Sequence, residues 1–308
     1  MSNAGAFHRR LIAALLAVCV LALLAAEVLG RFVVPRVSRI EGRAETELRE
    51  VRALSRDPGQ PPALLLLGNS LLNSAVVDGA RVQQAVQSKW QVHRLVVLNT
   101  QYLDWYYGMR NLVREGEAPQ VVALMLNAQQ LLSNDIRGAY SAYRLFGAAD
   151  SIRAGRDAGL HITEISGLVV GHFSGYYGLR LELRKFAFQK LVPDAEIMSV
   201  ALVRGAVRRA DPTVIDLSTE GARRIAALRA LCNERKVRCL FLVPPEIHDS
   251  DARRQLVELA EAAGLEARRF DVGAAWPVSH FDVDRFHFSQ VGADAYVEFL
   301  AQRLHELQ

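Results

Sequence analysis

The hydrophobic pattern divides the chain into three textures. From Leu11 to Ala26 the sequence is uninterruptedly apolar, and beyond Glu27 that character extends to Val34. About 20 apolar residues suffice to cross the hydrocarbon layer of a membrane. Residues 11–34 therefore predict a transmembrane anchor behind a short tail, residues 1–10, which ends in His8-Arg9-Arg10. A cleavable export signal ending near Ala25-Ala26 is the alternative. Residues 35–62 are different. Val37 to Arg56 carries Glu and Arg at helical spacings, and Asp57-Pro58-Gly59-Gln60-Pro61-Pro62 closes it. This predicts a juxtamembrane helix and a stiff turn that space the body from the membrane.

In the body, residues 63–308, short apolar runs alternate with segments of helical periodicity. Ala63–Leu67, Arg94–Leu98, Val121–Leu126, Arg238–Val243 and Phe270–Val272 read as strands. Asp78–Gln87, Tyr107–Glu115, Ser218–Glu234, Asp251–Ala263 and Val291–Leu307 read as helices. Fully apolar strands between helices specify a parallel sheet covered on both faces. The expected fold is α/β, a doubly wound parallel five-stranded sheet whose ligand site lies at the carboxyl ends of its strands. The alternation breaks in a helical insertion at about 131–215. It leaves the third strand at that edge and reads as a cap over the site, a structural subdomain or an interface for another membrane protein.

The strand ends carry the candidate chemistry. Leu64-Leu65-Leu66-Leu67-Gly68-Asn69-Ser70 places a hydroxyl at the tip of the first strand, and Asp284-Arg285-Phe286-His287 stands just before the last helix. A serine becomes nucleophilic when a neutral imidazole takes its proton, and a carboxylate on the other ring nitrogen holds the useful tautomer. Ser70, His287 and Asp284 are the candidate nucleophile, base and orienter, with His280 the rival base. Gly68 would relieve crowding in the strand-to-helix turn. The plain alternatives are a helix-capping Ser70 and a core histidine between Phe286 and Phe288.

These two blocks resemble those of the SGNH/GDSL hydrolases, Gly-Asp-Ser after strand one and Asp-x-x-His before the last helix, with Asn69 in place of the aspartate. The resemblance covers roughly residues 60–308 apart from the insertion. The middle blocks depart from it. The family carries Asn-x-Gly-x-x-Gly after strand two and Gly-x-Asn-Asp after strand three, where this chain reads Asn99-Thr100-Gln101-Tyr102-Leu103-Asp104-Trp105 and Leu126-Asn127-Ala128-Gln129-Gln130. The resemblance implies an SGNH/flavodoxin-like fold and an oxyanion or substrate-binding set drawn from Asn99, Gln101, Asn127 and Gln129. Loss of one oxyanion donor typically costs about 100- to 1,000-fold in rate. The implied activity is an esterase or O-acyltransferase acting on an acylated cell-envelope glycan or a lipid-linked substrate, with a multispanning acyltransferase as possible partner. The altered middle blocks leave open a noncatalytic scaffold or binding protein. The resemblance also implies an inner-membrane anchor with a periplasmic domain, or a cleaved and secreted form. Arg31, Arg36, Arg39 and Arg43 after the span argue instead for a cytoplasmic body.

Composition narrows the remaining classes. The net charge is +4, and the arginines are scattered among acidic residues with no basic block, which reads as a solvated surface and not a nucleic-acid footprint. Of three cysteines, Cys19 lies in the apolar leader. Cys232 and Cys239 flank a helix-to-strand turn and read as buried thiols, a bridge being open to them in an oxidising compartment. No phosphate loop or dinucleotide fingerprint implies a cofactor. His161 and His172 lack a third metal ligand. Trp105-Tyr106-Tyr107 reads as packing or as a flat groove for a sugar acceptor.

Overall fold

The computed structural model describes residues 3–55, 59–86, 89–116, 119–193, 216–273 and 275–307. Four strands, β1 (Ala63–Gly68), β2 (Gln91–Val96), β3 (Val121–Met125) and β4 (Arg238–Leu242), form one parallel sheet in the order β2-β1-β3-β4. The chain leaves β1 towards β2 and then returns to the other side for β3. The crevice where ligands collect in such sheets therefore opens above β1 and β3.

In chain order the helices are α1 (Asn3–Val28), α2 (Val34–Val37), α3 (Arg39–Arg52), α4 (Ser70–Ala75), α5 (Gly79–Ala85), α6 (Tyr102–Leu112), α7 (Ala128–Leu132), α8 (Ala139–Arg144), α9 (Ala148–Asp157), α10 (Ile162–Phe173), α11 (Gly175–Leu191), α12 (Glu220–Arg235), α13 (Asp251–Ala262) and α14 (Gln290–His305). A π-helical stretch, Leu29–Val33, joins α1 to α2. The continuous helix Phe7–Val37 is long and apolar enough to cross a membrane, a property an export signal shares.

Because successive strand residues face opposite sides, the apolar runs feed two cores. Leu65, Leu67, Val122, Leu124 and Phe241 pack with α3, α6, α12 and α13. Leu64, Leu66, Ala123, Met125 and Leu240 pack with α4, α5 and α14.

The sheet has four strands and not five. Phe270–Val272 does not extend it: Arg268–Phe270 is a 3-10 turn, and a single parallel bridge, Leu240 to Glu266, stands where a fifth strand would begin. The Glu261 carboxylate accepts the Ala267 N–H at 2.8 Å and also the Arg268 N–H, so these donors are withdrawn from any ladder. Phe270 then turns inward and is fully buried in the second core. The second strand begins three residues earlier than expected, at Gln91, paired with Ala63. The helix after it begins five residues earlier, at Tyr102, where the Gln101 N–H is capped by Asp104 at 2.8 Å.

Helix α3, expected to be a spacer beside a membrane, packs on the body. Its Glu47 accepts from Arg94 Nε at 3.0 Å and from the Val96 N–H at 2.9 Å, closing the free edge of β2. Glu41 accepts from the Tyr140 hydroxyl at 2.9 Å and from Arg144 at 3.3 Å, joining α3 to α8. Arg94, Arg144, Arg224 and Arg253 are buried, so part of the arginine content is internal rather than solvated. Cys232 and Cys239 are not free thiols but a disulfide. Lys236, in the left-handed conformation at φ 56°, folds the chain back between α12 and β4 and brings their Cα atoms to 6.1 Å, within bridging range. Asp57-Pro58 of the expected turn and residues 194–215 of the insertion lie outside the described residues.

Candidate active site

β1 ends at a glycine because α4 returns directly over it: a Cβ on Gly68 would stand 2.7 Å from Leu72 Cβ. Asn69 caps α4, its Oδ1 accepting the Leu71 N–H at 3.0 Å, while its Nδ2 donates to the Thr100 carbonyl at 2.9 Å. One side chain thus ties the end of β1 to the loop after β2. Ser70 opens α4, where backbone N–H groups have no acceptor within the helix.

The opposing loop is closed by an antiparallel bridge between Phe281 and Phe288, whose rings stack 5.6 Å apart. The Asp282 N–H donates to the His287 carbonyl, and the Arg285 N–H to the Asp282 carbonyl, both at 2.8 Å. Arg285 is left-handed, at φ 58°. This turn presents Asp284 and His287 together. Asp284 Oδ1 accepts the backbone N–H groups of Phe286 at 2.9 Å and His287 at 3.0 Å, and Oδ2 faces His287 Nδ1 at 2.6 Å. Burial pushes the Asp284 carboxyl up, but the hydrogen bonds from the His287 ring and these backbone groups outweigh it and hold it below its ordinary range. The carboxylate keeps the proton on Nδ1 and leaves the lone pair on Nε2. His287 Nε2 is buried and has no hydrogen-bond partner among the described residues.

His287 and Ser70 line the same polar cavity, of about 510 Å³. No hydrogen bond joins Ser70 Oγ to His287 Nε2. All four further expected residues reach this cavity. Asn99 is exposed and left-handed, at φ 56°, where the expected pattern carries a glycine two residues on. Gln101 holds a buried, unpartnered Oε1. Asn127 uses Oδ1 to cap α7 through the Gln130 N–H at 2.8 Å, so Nδ2 is the group it can offer a ligand. Gln129 is exposed. His280 lies outside: its ring packs edge-on against Trp276 at 5.1 Å.

The cavity also holds Thr100 and Gln130, from the two strand-end segments the sequence placed at this edge, and Ser133 and Asp135, which it did not single out. Asn127-x-x-Gln130 was readable as a reciprocal cap, since the Gln130 side chain accepts the Asn127 N–H at 3.1 Å. Asn127 and Phe286 also border a second, mainly apolar cavity of about 430 Å³ with Leu71, Pro244, Pro245, Ile247 and Phe281. Among the described residues, the insertion reaches the polar cavity only through Ser133 and Asp135. Its helices α8 and α9 pack towards α3 and α6 instead. Trp105 and Tyr107 are core residues, Tyr107 donating to Asp157 at 2.6 Å. His172 Nδ1 lies 3.2 Å from the Ala142 carbonyl, and no cluster of three metal-ligating side chains occurs among the described residues. The chain matches no protein-family model and no curated protein.

Proposed function

We propose that the chain is a membrane-anchored serine acyl-transfer enzyme of SGNH/GDSL-like type, with Ser70 as nucleophile, His287 as general base and Asp284 as the orienter of His287. The observation that carries this reading is the Asp284–His287 pair at 2.6 Å, whose free Nε2 belongs to a ring lining the same cavity as Ser70.

The chemistry follows from these groups. Ser70 Oγ bonds to the acyl carbon as its proton passes to His287 Nε2. The oxyanion is held by the Ser70 backbone N–H and by Asn127 Nδ2, with Asn99 and Gln101 at the rim. Collapse breaks the bond to the leaving alkoxide, which takes the proton back from His287. Water or an acceptor hydroxyl then repeats the cycle on the acyl-serine. The two cavities that meet at Asn127 suit this division: the apolar one for the acyl group, the polar one for a hydroxyl-rich glycan or lipid-linked substrate. The apolar N-terminal helix and the Cys232–Cys239 disulfide favour a membrane anchor with the body on an oxidising, periplasmic side. A multispanning acyltransferase is the partner this placement suits.

A noncatalytic scaffold or binding role is favoured by one observation, the absence of a Ser70–His287 hydrogen bond. Labelling with a fluorophosphonate, which reports an activated serine without knowledge of the substrate, separates the two. Acyl transfer expects labelling that disappears in both Ser70→Ala and His287→Ala. A folded wild type that does not label supports the scaffold.

A further inference from the structure

α10 is apolar on both its inner and its outer faces. Ile165 and Leu168 are buried, yet Ile162, Val170 and Phe173 are 79%, 49% and 64% exposed. Where α10 turns into α11, the elbow is fastened to the N-terminal helix. Glu27 accepts from Ser174 Oγ at 2.7 Å and from the Gly175 and Tyr176 N–H groups at 2.8 and 3.3 Å. Arg31 Nη2 donates to the Phe173 carbonyl at 2.7 Å. The backbones meet closely, since a Cβ on Gly30 would collide with the Tyr176 backbone nitrogen. The height of the elbow along the apolar helix is therefore fixed.

That height corresponds to a membrane boundary. A span starting at Leu11, just after Arg9 and Arg10, crosses a hydrocarbon layer of about 30 Å in about 20 residues and so ends near Gly30. The Glu27–Arg31 pair and the elbow lie at this boundary. Val20, Leu23 and Leu24 lie inside it, and with Val169, Val170, Phe173 and Tyr176 they line an open groove of about 550 Å³. From Val20 to Glu27 the helix rises about 10 Å, and interfacial helices bury their apolar faces by about 5–10 Å. A charged residue at this depth must be paired, which the elbow accomplishes for Glu27.

We propose that the α10–α11 elbow is a second membrane-inserting element, with Val170, Phe173 and Tyr176 in the acyl-chain layer beside α1, holding the body at a set height and tilt. The occupant of the groove is lipid, because one of its walls is the flank of a helix that is apolar and exposed along its length. The proposal rests on α1 remaining attached and spanning the bilayer.

The test uses the full-length chain, with an environment-sensitive dye attached in detergent to single thiols before reconstitution into phosphatidylcholine vesicles containing doxyl-labelled lipids. Native Cys19, exposed on α1, reports the anchor. Phe173→Cys and Val170→Cys in a Cys19→Ser background report the elbow, and Val283→Cys, at a position 92% exposed, is the aqueous control. Insertion expects the dye at 173 and 170 to lose most of its fluorescence to the doxyl lipids, as at Cys19, and the dye at 283 to keep it. Quenching at Cys19 with none at 173 and 170 overturns the elbow and spares the anchor. A blue-shifted but unquenched dye at 173 overturns it in favour of a protein neighbour. Quenching at none of the four sites removes α1 from the bilayer and the elbow with it.

Discussion

The carboxyl edge of the sheet and the flank where α3 meets β2 and α8 use the same kinds of side chain to opposite ends. On the flank, the carboxylates of Glu47 and Glu41 are buried and fully engaged, by Arg94, the Val96 N–H, Tyr140 and Arg144. At the edge, His287 Nε2 and Gln101 Oε1 are buried and unengaged, and the Asp284–His287 pair is about one-third exposed. Buried charges that satisfy one another hold elements together. Unused bonding capacity in residues that line a cavity, as His287 and Gln101 do, is available to a ligand. Substitutions should therefore sort cleanly, with flank changes unfolding the protein and edge changes silencing it.

The largest effect expected is at the edge. His287→Ala should lower turnover by about 10⁶-fold while thermal unfolding moves little, because a partly exposed site away from the core typically shifts stability by only about 0.5 kcal/mol. Loss of folding in this variant would make His287 a core residue and erase the contrast. Asp284→Asn comes next, at about 10⁴-fold. The asparagine oxygen can still accept the Phe286 and His287 backbone N–H groups, but its amide would face Nδ1 as a donor and move the imidazole proton to Nε2. Activity that survives this change would mean that tautomer control is not what the short Asp284–His287 contact provides.

The edge was more legible in the sequence than the flank, for a physical reason. Gly68-Asn69-Ser70 and Asp284-x-x-His287 are local patterns: each group acts within three residues of its partner or at the end of a strand whose apolar run announces it. Four of the five expected strands formed, since Leu64–Leu67, Val121–Met125 and their neighbours could be read by run length alone. Glu47 with Arg94 and Glu41 with Tyr140 are long-range pairs, and nothing in an alternating Glu/Arg segment distinguishes a helix that lies on a sheet edge from one that stands in water. The fifth strand failed similarly: Glu261 takes the Ala267 and Arg268 donors from six and seven residues away. The disulfide needed the left-handed turn at Lys236, which no glycine signalled.

On the flank, Glu47→Ala leaves Arg94 buried without its carboxylate and should cost about 3–5 kcal/mol of stability, measured by urea unfolding. Fluorophosphonate labelling per folded molecule should stay at the wild-type rate. Labelling that falls with stability intact would show that the flank sets the geometry of the edge. Asn127→Ser then sharpens the assignment within the edge. Serine keeps the cap on α7 but removes the Nδ2 donor, so turnover should fall by about 100- to 1,000-fold with little change in unfolding.

The smallest expected effect concerns a residue that joins the edge to the insertion. Asp104 is fully buried, its Oδ2 accepting the Gln101 N–H at 2.8 Å and its Oδ1 the Arg137 N–H at 3.0 Å. Burial raises its pKa to about 6, against the opposing pull of these hydrogen bonds. Between the ordinary carboxyl range and about 6 the folded protein therefore binds more protons than the unfolded chain. The contribution of this group favours folding below that window and is lost as pH rises through it. About 2 pH units at roughly 1.4 kcal/mol each set an upper limit of about 3 kcal/mol. Asp284 acts in the opposite sense: its lowered pKa contributes stability that is present above the ordinary carboxyl range and is lost on acidification. Urea midpoints from pH 4 to 7 for wild type and Asp104→Asn isolate the first effect. The difference between the two proteins should change across pH 4–6 and level off above. A difference that is flat with pH would mean that Asp104 is ionised throughout and belongs with the satisfied carboxylates of the flank.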